Sequence, residues 1–92
     1  MPRFLIEASH PEEVAACARV VQIFLATGSH FLTHAEWGCM DGDHRCWIIV
    51  EAENREQARC ILPPAFRSEA KITGLNRFTM EEIGDILAHH KS

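Results

Sequence analysis

The sequence predicts an α+β sandwich: a four-stranded antiparallel sheet with helices on one face, in the order βαββαβ, followed by a C-terminal helix. Three observations lead there. Runs with alternating apolar and polar side chains are interleaved with runs whose apolar residues recur at steps of three and four. Capping residues and Gly or Pro breakers fall between the runs. Asp41-Gly42, a pair favoured in tight hairpin turns because both positions tolerate positive φ, joins two alternating runs within 30–52. A chain of 92 residues, 47% apolar and 24% charged, is sized and composed for one domain, 1–92.

Arg3 to Ala8 is a short apolar run that fits a buried strand. Ser9, with Glu12 three residues on, makes a capping box for a helix, and Pro11 is tolerated in its first turn. Val14, Ala18, Val21 and Leu25 recur at helical spacing, with Cys17, Val20, Ile23 and Phe24 widening the apolar face. Thr27-Gly28-Ser29 ends that helix, since Gly accepts the left-handed conformation of a helix C-terminus. The hairpin then spans His30 to Ala52, and a two-residue loop pairs Trp37 with Cys46 and Cys39 with His44. Asn54 caps a second helix that Pro63-Pro64 stops, with Ala65 to Ser68 as connector. Glu69 to Phe78 alternates as a fourth strand. Thr79 and Glu82 form a capping box for a last helix striped by Met80, Ile83, Ile86 and Leu87, and His89-His90-Lys91-Ser92 reads as a frayed tail. Two strand–helix–strand units split around a hairpin give the ferredoxin-like sandwich.

The bulk numbers exclude several classes. A net charge of −4 with no basic run argues against nucleic acid or an anionic membrane surface as partner. No stretch reaches the roughly 18 apolar residues of a membrane span, and the N-terminus lacks a signal pattern, so a cytoplasmic protein is expected. Four cysteines without any Cys-x-x-Cys read as reduced thiols. A domain this small gains buried area by self-association, so a homodimer or higher oligomer is expected.

Alternation puts Phe31, Ala35, Trp37, Cys46, Ile48 and Val50 on the helix-covered face, and Leu32, His34, Glu36, Arg45, Trp47, Ile49 and Glu51 on the open one. An apolar patch with a few polar groups marks either a subunit interface or a pocket wall. His34 and Glu36 are the candidate acid/base pair, because a carboxylate can orient an imidazole that titrates near neutrality. Trp47, Arg45, Glu7 and Ile49 are the candidate ligand-binding residues on the same face. His30 and His34 would chelate one ion on a helix, but on a strand they stand about 13 Å apart and cannot. Cys39 and His44 meet at the hairpin tip and are the alternative metal ligands, although two residues are too few for a closed site. Cys17 and Cys60 read as small core side chains. No phosphate loop, nucleophile elbow or His-Glu-x-x-His motif occurs, and no cofactor is expected.

The element order, the chain length and the opening Pro2-Arg3-Phe4-Leu5-Ile6-Glu7 strand resemble the dimeric α+β barrel group, which includes muconolactone isomerases, small monooxygenase-like enzymes and many short bacterial proteins. That resemblance implies sheets stacked face to face with a small ligand between sheet and helices or between subunits. The leading expectation is therefore a homodimeric small-ligand-binding protein, with acid/base catalysis on a small organic substrate as an extension. The alternative is a non-enzymatic interaction or metal-responsive module using the hairpin tip, 39–46.

Overall fold

Four strands, Arg3–Ser9 (β1), Glu36–Trp37 (β2), Arg45–Glu51 (β3) and Lys71–Leu75 (β4), form one antiparallel sheet in the order β2-β3-β1-β4. The computed structural model describes residues 1–90. Helices Val14–Ala26 (α1), His30–Thr33 (α2), Arg55–Arg59 (α3) and Met80–His89 (α4) complete the α+β architecture, with 3₁₀ turns at Cys39–Asp41 and Pro64–Phe66. Among the described residues no helix is long and apolar enough to cross a membrane.

The sheet's alternation sorts its side chains as a half-covered sheet requires. Phe4, Ile6 and Ala8 of β1, Cys46, Ile48 and Val50 of β3, and Ile72 of β4 are buried on one face. Helical Val20, Phe24, Leu32 and Ala58 join them, with Leu62 from the segment after α3. Phe24 is the pivot of this core, its ring edge-on to Trp37 at 5.1 Å and to Phe66 at 5.3 Å. Full burial of a large apolar side chain contributes about 1.5–3 kcal/mol, so the ten buried residues larger than alanine carry the fold. The other face holds Leu5 opposite Ile49, Glu7 opposite Trp47 and Arg3 opposite Leu75, with Ile49 61% exposed. The connector 60–70 is clipped to the body by two guanidiniums. Arg59 donates to the carbonyls of Arg67 and Ala70, and Arg67 to those of Leu62 and Cys60.

Several expectations are corrected. The register Trp37 opposite Cys46 is present, but strand structure begins only at Glu36. Residues 30–33 are a helical turn instead, because the Ser29 hydroxyl accepts from the Leu32 N–H as an N-cap. Leu32 consequently turns into the core at 3% exposure, and His34 is the cap residue of α2. Ser9 does not cap α1, since β1 continues through it to pair with Arg45; Glu13 caps, its carboxylate accepting from the Ala15 N–H. The buried stripe of α1 is Val20 and Phe24, while Val14 is 84% exposed. The fourth strand is shorter than 69–78.

The Thr79–Glu82 capping box of α4 is present in both directions. No residue of α4 is buried, and the chain measures 53 × 28 × 21 Å. His89 is not frayed: it belongs to α4, and its Nδ1 donates to the Asp85 carbonyl at 2.7 Å. The remainder of the expected tail, Lys91 and Ser92, lies outside the described residues.

Candidate metal centre

Where β1 ends, the backbone N–H of His10 donates to the carbonyl of His44 at 3.0 Å, which ties the strand's exit to the hairpin tip. The tip is built on Gly38. Its N–H donates to the Arg45 carbonyl at 3.1 Å, and its carbonyl accepts from the N–H groups of Asp41 and Asp43, both at 3.0 Å. Only glycine fits there, because a Cβ would sit 2.6 Å from the Asp43 carbonyl oxygen and 2.9 Å from the Trp47 ring. Gly42, at φ 84°, closes the 3₁₀ turn in the left-handed region that glycine occupies without strain. This turn displays Cys39 at its start and His44 just past its end. Cys17 lies early in α1 and faces the same point.

One ligand atom from each of His10, Cys17, Cys39 and His44 lies within 4.8 Å of all the others. Among the described residues no other group of three or more His, Cys, Asp or Glu side chains converges in this way. His10 is the hub, its Nε2 at 3.2 Å from Cys17 Sγ and 3.0 Å from Cys39 Sγ. The His10 and His44 rings meet edge to face at 5.4 Å, and Trp37 flanks His10 at 5.5 Å. Zinc bonds of about 2.3 Å to sulfur and 2.0–2.1 Å to nitrogen give a tetrahedron whose edges are about 3.3–3.8 Å. The cluster's separations, from 3.0 Å up to no more than 4.8 Å, bracket that range, so closing on an ion takes a shift of about an ångström.

The electrostatics suit a cation. Burial first, and then the neighbouring His44, push the His10 pKa below its ordinary value, so the ring is neutral at pH 7 and has a lone pair to give. Burial first, and then the hydrogen bond shared with Cys17, push the Cys39 thiol up. A bound ion takes the place of the thiol protons, because thiolate is the ligating form. Nδ1 of His10 and Nδ1 of His44 are buried without hydrogen-bond partners. Orphaned buried polar atoms are uncommon in folded proteins, and an ion satisfies such a nitrogen only by binding that nitrogen itself. An open groove of about 500 Å³ lined by Glu12, Val14, Ala18, Val21 and Met40 leads onto the cluster.

The residues singled out in the sequence fall into three places. Cys39 and His44 are in the cluster, joined by Cys17, which helical periodicity assigns to the core, and by His10, which no sequence motif marks. Glu7, Arg45 and Trp47 meet on the open sheet face: Trp47 Nε1 donates to Glu7 at 3.2 Å, and the Arg45 guanidinium lies 5.2 Å from the Trp47 ring centroid. Arg45 also pairs with Asp43 at 2.6 Å, and that bond holds the Asp43 carboxyl below the usual carboxylate range. His34 and Ile49 line a separate cavity with His30 and Glu51. Glu36 is opposite Trp47 on β2 and is not among that cavity's lining residues, so His34 and Glu36 do not stand side by side on one strand. His30 and His34 are not 13 Å apart, because α2 is helical; their ring centroids are 4.5 Å apart. Cys46 is buried and Cys60 exposed, the reverse of the core role expected for Cys60.

No family model matches the chain, and neither the curated proteins nor the solved structures contain a match. The resemblance to muconolactone isomerases therefore rests on element order and the opening strand alone.

Proposed function

We propose that the protein is a metal-binding α+β module that holds one zinc-class divalent ion through His10, Cys17, Cys39 and His44. The observation that carries this reading is the convergence of four soft or borderline donors from three separate segments within 4.8 Å. Two thiolates and two neutral imidazoles around a dication sum to zero charge, which suits a cluster beneath an apolar groove. Four protein ligands leave no open position, so the ion is structural or sensory and not catalytic. It staples the end of β1, the start of α1 and the hairpin tip. Structural zinc contributes about 10–16 kcal/mol of apparent binding free energy in small domains, enough to decide whether a chain of this size folds. Thiolate ligands must stay reduced, which favours the cytoplasm.

The test is metal content. Protein purified from zinc-supplemented cells carries one equivalent, and Cys17→Ser, Cys39→Ser and His10→Ala variants lose it. A wild-type protein free of stoichiometric metal after such preparation overturns the reading.

We also infer a ferredoxin-like chain that self-associates through its open sheet face. The strand order β2-β3-β1-β4 supports the topology. The exposed Ile49 beside Leu5 and the unburied α4 support the association.

A further inference from the structure

We propose that His30 and His34 form a second, open metal site that takes a nickel-class divalent ion, with water in its remaining positions. The two residues are four apart on a helical turn, the spacing that sets imidazoles on one face. Their ring centroids are 4.5 Å apart. Two imidazoles bound cis to one ion at about 2.1 Å place their centroids about 4.5–5.2 Å apart, so the rings already sit at a chelating separation.

The second observation is tautomeric. His34 Nδ1 lies 2.7 Å from the His30 carbonyl oxygen. A carbonyl only accepts, so in the neutral ring Nδ1 carries the proton and Nε2 keeps the lone pair that a metal needs. Orientation of a ligating histidine by a backbone carbonyl is the usual outer-shell arrangement at metal sites. The turn is also fixed before any ion arrives. The Ser29 cap, the Thr33 hydroxyl donating to the Ser29 carbonyl at 2.9 Å and the buried Leu32 all hold it.

The two rings border a cavity of about 360 Å³ whose wall includes Phe31, Ile49 and Glu51. The Glu51 carboxylate is not within ligating distance of both rings, so the protein supplies two donors and solvent the rest. Two imidazoles with water favour tetragonal nickel(II) or copper(II) geometry, whereas the thiolates of the first site favour zinc. The two sites therefore sort different ions. This proposal does not depend on the first site, and its test isolates it.

Isothermal titration with nickel(II) alone is carried out on protein bearing Cys17→Ser and Cys39→Ser, which disable the first cluster. His10→Ala, His89→Ala and His90→Ala in the same protein remove the other paired histidines. This parent takes up one equivalent of nickel, and adding His30→Ala with His34→Ala abolishes the uptake. Nickel also broadens the His30 and His34 ring resonances in proton–nitrogen NMR spectra of the zinc-loaded wild-type protein before any others. A parent that binds no nickel, or a His30→Ala/His34→Ala protein that keeps the full equivalent, overturns the proposal. A wild-type protein that takes up no zinc would sink the first reading while leaving this one standing. Because the wild-type rings give the broadening directly, misfolding of a variant does not obscure the result.

Discussion

Gly38→Ala is the substitution most directed at the geometry of the cluster, because it changes no ligand. The added Cβ meets the Asp43 carbonyl oxygen at 2.6 Å, where ordinary contact begins at 3.4 Å, and the obstacle is backbone. The hairpin must open by the difference, 3.4 − 2.6 = 0.8 Å. The displaced segment is the one that carries Cys39 and His44, and metal–ligand bonds tolerate only about 0.2 Å. Overpacking of this kind costs about 1–3 kcal/mol, which lowers the Tm of a domain of this size by roughly 4–8 °C per kcal/mol. Zinc affinity falls by about 10–100-fold, the range seen when ligand support is lost with the ligands intact. Competition against a chromophoric chelator reads the affinity, and calorimetry with and without zinc reads the stability. The Tm loss is larger in the zinc-loaded protein, where the strain also weakens the ion's bonds. A Gly38→Ala protein with wild-type zinc affinity would show that the Gly38 turn does not position the ligands.

Two further outcomes follow from other parts of the fold. Burial pushes the Cys46 thiol up to about 11, so in native protein at pH 8–9 a maleimide labels the exposed Cys60 and spares Cys46. The unfolded chain releases the Cys46 proton near 9.0 and the folded chain does not, so its contribution to stability is complete below that value. It is lost as pH rises from 9 to 11, which denaturant midpoints across that window measure. On the open face, Trp47→Ala removes the ring that joins Glu7 and Arg45 and shifts the protein toward monomer in sedimentation velocity, while zinc content stays at one equivalent.

Much of the fold was legible because it rests on local chemistry. The Thr79–Glu82 capping box, the Asn54 cap, the proline stop and the alternation of β1 and β3 each declare themselves within a few residues. The register of Trp37 with Cys46 followed from Asp41-Gly42 even though the turn there is a 3₁₀ turn and not a two-residue loop. The stretch 30–35 misled because it leads straight into the strand at Glu36 and reads as the near arm of the Asp41-Gly42 hairpin. The deciding signal was Ser29, which caps α2 instead of merely ending α1. That one assignment also hid the histidine pair.

The cluster was half legible. Cys39 and His44 are close in sequence and join the same hairpin tip, whereas His10 and Cys17 reach it only through the long-range pairing of β1 with β3 and the packing of α1. Cys17 looked like a core residue because helical periodicity places it among apolar neighbours. A sharper signal was available in His10, which follows directly on the first strand seven residues before a cysteine. Four donors flanking two elements that must pair is a pattern visible only once the sheet order is known.

The account turns on the coordination sphere itself. X-ray absorption at the zinc edge of the loaded protein tests it most directly. The predicted result is two sulfur ligands at about 2.3 Å and two imidazole nitrogens at about 2.0–2.1 Å. A sphere of oxygen and nitrogen without sulfur would contradict it.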